Sequence, residues 1–275
     1  MHTVKSALED LLLSMDRTDA VVIMSEVLGV NRAWIAANPM RILTETEAAK
    51  IESLIAQRML GQPVAYLLAK REFYGRDFAV SGDVLIPRPE TEILVAAVLA
   101  AGLPPGASIV DLGTGSGAIA ATVSCERPDL QVTATDASEG ALDVAKHNAS
   151  ELGCASRIEF LRGSWYAPIG TRRFDAIVSN PPYIARGDVH LGRGDLRFEP
   201  DAALCDGSAD GLDSIRAIVA GARAHLNPGG ALFVEHGYDQ AAAVAGLFAQ
   251  AGFEDFQSTP DLAGIPRVAS GKMRN

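Results

Sequence analysis

The stretch Ser108-Ile109-Val110-Asp111-Leu112-Gly113-Thr114-Gly115-Ser116-Gly117 constrains the fold of this chain more than any other. An apolar run of strand type ends in three glycines at alternate positions, and an alanine-rich run follows. Such a turn between strand and helix carries almost no side chains, so a ligand can approach its backbone closely. Downstream the same alternation repeats. Candidate strands are Ser108 to Leu112, Gln131 to Thr135, Ile158 to Leu161, Phe174 to Ser179 and Ala231 to Glu235. Amphipathic alanine-rich runs after Ser116, Ser138, Asp210 and Asp239 separate or follow them. Strand and helix in alternation imply an α/β fold with a mostly parallel, doubly wound sheet of Rossmann type. Two later runs, Phe253 to Thr259 and Arg267 to Lys272, are expected to add a terminal hairpin.

The first part of the chain has a different period. Leu8, Leu11 and Leu12, then Val22, Ile23, Val27 and Leu28, then Ile51, Leu54, Ile55 and Met59 recur at spacings of three and four, as in helices. Thr44 with Glu47 forms a capping-box signature for the last long helix, and Gly61 with Pro63 supplies its stop. Short extended pieces, Glu72 to Tyr74 and Phe78 to Val80, then read as a hairpin. Pro87 and Pro89 stiffen the approach to a helix expected from about Glu90 to Ala101. The expected organisation is a small all-helical domain over 1–74, a hairpin linker over 75–90 and an α/β domain over 91–275.

With 275 residues, 48% of them hydrophobic and 21% charged, the chain can bury a sizeable core in two modules. A net charge of −10 argues against wrapping nucleic acid, since that binding depends on neutralising phosphates. Cys125, Cys154 and Cys205 have neither the spacing of a disulfide framework nor that of a metal site, so no metal is expected. The residues from Met1 to Ser14 lack the apolar core of a signal peptide, and no run is long enough to span a membrane. A cytoplasmic monomer is the expectation.

Two ligand classes fit the glycine turn. Gly113, Gly115 and Ala118 also satisfy the dinucleotide fingerprint with its permitted final alanine. Asp136, at the end of the next strand, is placed to accept hydrogen bonds from ribose hydroxyls in either case. Asp111 favours the adenosylmethionine class, because a carboxylate beside the turn suits a cationic amino group and repels a pyrophosphate. A strand-end aspartate that only bonds neighbouring amides is the structural alternative. Trp165 follows the third strand, where it can either flank an adenine or belong to the core.

Asn180-Pro181-Pro182-Tyr183 follows the strand Phe174 to Ser179, at the end where open parallel sheets bind ligands. These residue types suit methyl transfer to a planar NH2 group. Delocalisation makes such a nitrogen a poor nucleophile, so its lone pair must be turned out of conjugation and aimed at the methyl carbon. The Asn180 side-chain oxygen can accept one N–H, and the Pro181 carbonyl, held by the rigid Pro181-Pro182 pair, can accept the other. Tyr183 offers a flat face to a planar substrate group. The nitrogen is strongly acidic once methylated, so no strong general base is required.

Further strings extend the pattern: Gln62-Pro63-Val64-Ala65-Tyr66, Glu72-Phe73-Tyr74-Gly75, Leu85-Ile86-Pro87-Arg88-Pro89-Glu90-Thr91-Glu92, Phe198-Glu199-Pro200 and Gly211-Leu212-Asp213. Together with the glycine turn and the Asn180 loop, the chain resembles the protein-(glutamine-N5) methyltransferases of the PrmC/HemK family, which act on peptide chain release factors. The resemblance implies a class I methyltransferase domain that uses S-adenosylmethionine and yields S-adenosylhomocysteine. It also implies a glutamine substrate in the Gly-Gly-Gln loop of a release factor, held with help from the helical domain. The cofactor contacts implied are Gly113, Thr114, Gly115, Ser116, Gly117, Asp136, Trp165 and Asn180, with Asp111 added from its charge. Asn180, Pro181, Pro182 and Tyr183 are implied to hold the substrate, and Asn180, Pro181 and Tyr183 to serve catalysis. Ala69 stands where the family usually has glycine. Arg88, Glu90 and Glu92 have two readings, as a wall of the cofactor pocket or as helix-start charges.

Three other functions compete. An adenine-N6 methyltransferase of nucleic acid presents the same planar NH2, but the chain shows no basic recognition module. A nicotinamide-dependent oxidoreductase leaves the Asn180 loop unexplained. A release-factor-binding module without activity leaves the intact loop unexplained.

Overall fold

A computed structural model describes residues 2–274. The chain divides into two compact units, one ending at Lys70 and the other starting at Arg71.

The first unit is helical, with α1 (Val4–Leu12), α2 (Arg17–Leu28), α3 (Arg32–Ala37), α4 (Glu45–Met59) and the short α5 (Val64–Leu67). Side chains start the first four of these helices. Asp16 caps α2 through the Asp19 N–H at 3.0 Å, and Asn31 caps α3 through the Trp34 N–H at 2.9 Å. The expected capping box on α4 is present: the Thr44 hydroxyl accepts the Glu47 N–H at 3.2 Å and Glu47 returns the bond to the Thr44 N–H at 2.8 Å. A left-handed Gly29 ends α2. The core of this unit includes Leu11, Ile23, Met24, Ile51 and Leu54. Leu12, Val22 and Met59 stay exposed, so the period that announced the helices did not mark every member as core. Ala69 adopts a left-handed backbone with φ +54°.

A two-stranded hairpin follows, β1 (Lys70–Phe73) and β2 (Arg76–Ala79). Both turn residues, Tyr74 and Gly75, have positive φ, which matches the right-handed twist of the strands. The strands lie one or two residues earlier than the apolar pattern suggested because Tyr74 belongs to the turn.

The second unit continues with α6 (Thr91–Leu99), β3 (Ser108–Leu112), α7 (Ala118–Glu126), β4 (Gln131–Asp136), α8 (Glu139–Glu151), β5 (Ile158–Arg162) and β6 (Phe174–Ser179). It ends with α9 (Asp201–Leu204), α10 (Asp213–His225), β7 (Leu226–Glu235), α11 (Ala241–Gln250), β8 (Phe253–Pro260) and β9 (Pro266–Met273). The sheet order is β5-β4-β3-β6-β7-β9-β8, with β9 antiparallel to both neighbours. The direction of winding reverses between β3 and β6, which opens a crevice at the carboxyl ends of those strands.

Both faces of the sheet are buried, and residues alternate between them. Ile109, Ala176, Val178, Ala231 and Phe233 join one core with Leu94, Val95 and Val98 of α6. Val110, Leu112, Ile177, Leu232 and Val234 join another with Ile215 and Ile218 of α10 and Phe248 of α11. Ser179 stands opposite Val234, so the next residues, Asn180 and Glu235, leave neighbouring strands on the face covered by α6. No described helix is long and apolar enough to cross a membrane.

Candidate active site

A cavity of about 290 Å³ lies at the crevice. Its walls include Gly113, Thr114, Gly115, Ser116, Asp136 and Trp165 from the glycine turn and the ends of β4 and β5. Asn180 and Pro182 line it from the loop after β6, Pro87, Arg88 and Thr91 from the approach to α6, and Pro200 and Ala203 from around α9. The structure thus gathers most of the expected cofactor residues with two of the four loop residues.

The glycine turn has steric reasons for its composition. Gly113 has φ +73°, and a Cβ there would sit 3.3 Å from the Trp165 ring. The indole therefore packs directly on the turn, both lining the cavity and resting against the core beneath. Gly117 caps α7 in a left-handed conformation. Asp136 accepts the Gly115 N–H at 2.9 Å through one oxygen and the Ser138 N–H at 2.9 Å through the other. Each carboxylate oxygen keeps a lone pair for a ligand hydroxyl.

Asp111 lies under the turn and has no exposed surface. One oxygen accepts the Thr114 hydroxyl at 2.6 Å, while Oδ1 has no partner. Burial, with a smaller contribution from the Asp136 charge, pushes its pKa up to about 7. Asp111 does not line the cavity; its unpaired oxygen is a group that a cation reaching it would satisfy, and such a cation would favour the ionised form.

Asn180 also has an unpaired oxygen. Its Nδ2 donates to the Thr91 hydroxyl at 3.0 Å, and its Oδ1 is buried without a partner. Pro181 is buried and does not line the cavity. The Tyr183 side chain turns inward: its ring packs against the second core and its hydroxyl donates to Glu235 Oε1 at 3.3 Å. Burial raises its pKa, as does the neighbouring Glu235 charge. The flat face expected toward substrate is thus largely committed to the protein interior.

Several residues beyond the expected set hold this arrangement. Glu199 is buried, accepts the Ile86 N–H at 3.0 Å and pairs with Arg88, tying the α9 side of the cavity to the segment before α6. Arg88 is therefore a wall of the pocket. Glu92 instead accepts the Tyr74 N–H at 2.9 Å and anchors the hairpin, and Glu90 precedes α6 without a side-chain cap bond. Gln240 donates to the Tyr183 carbonyl at 3.0 Å and the Asp210 carbonyl at 3.1 Å. Gly211 lies against the Tyr183 backbone, where a Cβ would collide with the Tyr183 carbonyl. In the sequence, the strings containing Arg88 and Glu92, Glu199 and Gly211 hinted at these roles. Gln240 and Glu235 gave no local signal.

The sequence pattern of the PrmC N-terminal domain matches residues 1–68, and that of the methyltransferase small domain matches residues 89–194. A release factor glutamine methyltransferase of Burkholderia pseudomallei is 48% identical over 266 residues, spanning 94% of this chain and 93% of its own. A methyltransferase of Pyrococcus furiosus has a similar fold, with a TM-score of 0.56 at 18% identity over 84% of this chain and 100% of its own. So does the T. thermophilus 16S rRNA N2 G1207 methyltransferase, solved in complex with AdoMet and guanosine, with a TM-score of 0.54 at 20% identity over 74% of this chain and 50% of its own. Those two likenesses concern the fold. With both sequence patterns in place and near-complete alignment to the Burkholderia enzyme, the chain is a methyltransferase and belongs to the release factor glutamine methyltransferase family.

Proposed function

We propose that this enzyme transfers a methyl group from S-adenosylmethionine to the side-chain amide nitrogen of the glutamine in the Gly-Gly-Gln loop of a peptide chain release factor. The observation that carries the reading is the buried, unpartnered Asn180 Oδ1 on the cavity wall, with the other end of its carboxamide held by Thr91. S-adenosylmethionine supplies an electrophilic methyl carbon on a sulfonium. The protein's part is to position and to orient dipoles. Asp111 takes the amino group of the methionine portion, the backbone of Gly113 to Gly117 lies along it, Asp136 accepts the ribose hydroxyls and Trp165 flanks the adenine. Asn180 Oδ1 accepts one amide N–H of the glutamine and the Pro181 carbonyl the other, which turns the nitrogen lone pair toward the methyl carbon. Pro182, on the cavity wall beside Asn180, bounds the substrate side. The proton leaves to solvent after transfer, when the nitrogen has become strongly acidic.

The helical unit is assigned to holding the release factor. Its exposed apolar side chains include Leu13, Met40, Met59 and Leu60.

One assay tests the reading. Purified enzyme is incubated with labelled S-adenosylmethionine and either a release factor or DNA, in parallel with Asn180→Ala. Label is expected on the glutamine of the factor, reduced at least about a hundredfold in the variant, as for loss of a transition-state hydrogen bond. Label on DNA alone, or a variant as active as the parent, would refute it.

A further inference from the structure

The loop from Asn180 to Tyr183 poses a problem of attachment. Pro181 and Pro182 carry no N–H, so the middle of the loop can be held only by groups that donate to its carbonyls or pack on its side chains. At one end Asn180 Nδ2 donates to the Thr91 hydroxyl at 3.0 Å. Beyond the other end, the Ile184 N–H is engaged by the Leu204 carbonyl at 2.9 Å. The loop still has to keep the Asn180 oxygen and the Pro181 carbonyl in one geometry, because a misplacement of about 1 Å can cost about a hundredfold in rate.

The donor for the Tyr183 end comes from Gln240, 57 residues further along the chain. Gln240 precedes α11 in the N-cap position, yet its side chain makes no cap bond and is buried. The Gly237 N–H donates to its Oε1 at 2.8 Å, which fixes the oxygen and assigns both amide hydrogens to the opposite side. There Nε2 donates to the Tyr183 carbonyl at 3.0 Å, the Asp210 carbonyl at 3.1 Å and the Gly211 carbonyl at 3.3 Å. Both polar atoms of the carboxamide are thus spent on backbone. A side chain at Gly211 would collide with the Tyr183 carbonyl, so glycine is what lets the two segments come close enough to share one donor group.

We propose that Gln240 is a positioning residue for methyl transfer: its carboxamide holds the Tyr183 carbonyl against the Asp210 and Gly211 backbone, and so fixes the loop that presents Asn180 Oδ1 and the Pro181 carbonyl to the substrate nitrogen. The proposal rests on those two groups as the acceptors for the glutamine amide. An uncharged amide suits the task, since it donates to the buried carbonyls and accepts from Gly237 without bringing a charge out of water. Neither Gln240 nor Tyr183 lines the cavity, so its loss is expected to act on the rate and not on cofactor binding.

The test compares Gln240→Met, Gln240→Glu and Asn180→Ala with the parent, by steady-state methylation of a release factor at saturating S-adenosylmethionine. Titration calorimetry with S-adenosylmethionine counts the folded sites, and kcat is expressed per site. A residue that only supported the fold would lower the number of sites and leave each at the parent rate. Q240M keeps the length and loses the donor, so kcat per site is expected to fall at least about tenfold, with S-adenosylmethionine affinity within about twofold of the parent. In Q240E the protonated carboxyl has one hydrogen to donate and the ionised form has none. Its kcat relative to the parent is therefore expected to fall at least about fivefold between about pH 5.5 and about pH 9. The parent carries every other titrating group, so the ratio isolates position 240. Q240M with kcat per site within about twofold of the parent, or a Q240E ratio that stays flat or rises with pH, would overturn the proposal while N180A remains slow. A parent that leaves the release factor unmethylated, or an N180A as active as the parent, would overturn the reading of Asn180 and the proposal with it. Should Q240M fail to fold, the Q240E ratio decides.

Discussion

Replacing Asp111 by Asn is expected to stabilise the cofactor-free protein above neutral pH, and the pH dependence of that gain follows from the burial of the carboxyl. Asp111 has no exposed surface and one oxygen without a partner, and its pKa is pushed up to about 7 by burial and then by the Asp136 charge. The folded pKa lies above the unfolded one. Between the two, the folded protein holds a proton that the unfolded chain has released, so stability declines as pH rises. The decline ends once the folded carboxyl has ionised as well. From about pH 5.5 to about pH 8 it spans about 1.5 pKa units, or about 2 kcal/mol. Asparagine does not titrate, and other groups cancel when variant and parent are compared. The advantage of Asp111→Asn in urea unfolding, followed by circular dichroism without cofactor, should therefore grow by about 2 kcal/mol over that range. A constant or shrinking advantage would refute the argument. The same variant should bind S-adenosylmethionine more weakly, most clearly at the upper pH where the parent carboxylate is charged.

Three further outcomes are expected. Ala69→Gly should raise stability by about 0.5–1 kcal/mol in thermal or urea melts, because glycine adopts the left-handed φ of +54° at that position without the Cβ penalty. Arg88→Met should lower stability by about 2–3 kcal/mol, since it strands the buried Glu199 carboxylate on the Ile86 N–H alone; adding Glu199→Gln should recover part of the loss in a double-mutant cycle. Gly211→Ala forces a Cβ into the Tyr183 carbonyl at φ +68°, so kcat should fall more than S-adenosylmethionine affinity, measured by steady-state kinetics and titration calorimetry.

What the sequence disclosed follows from the range of the forces involved. The runs Ser108 to Leu112 and Phe174 to Ser179 were legible as strands because both faces of a covered parallel sheet are buried, which leaves mainly apolar stretches. The glycine turn and the Asn180 loop were legible because each packs its chemistry into adjacent residues. Glu235 was not. Its carboxylate ends an apolar strand, and only the register of Ser179 with Val234 brings it beside Asn180. Thr91 looked like an ordinary helix-start residue, and nothing local distinguished Gln240, whose bonds to Tyr183 and Asp210 cross long stretches of chain. Tyr183 shows the opposite failure: its place in the loop suggested a substrate face, whereas the distant Glu235 and the second core claim most of the side chain.

The antiparallel strand β9 has a bearing on how the enzyme comes into being. It pairs along β7 from Ala231 to Glu235, and the His236 N–H bonds to the Arg267 carbonyl at 2.9 Å. During synthesis, β7 emerges well before β9, with α11 and β8 between them. Until β9 arrives, one edge of the strand that bears Glu235 has no partner, and Arg267 is not yet there to offset its charge. A ribosome-bound chain halted after α11 is thus expected to have the glycine turn and the Asn180 loop already made, but no settled framework behind them. Activity should appear late and abruptly along the nascent chain rather than in proportion to its length.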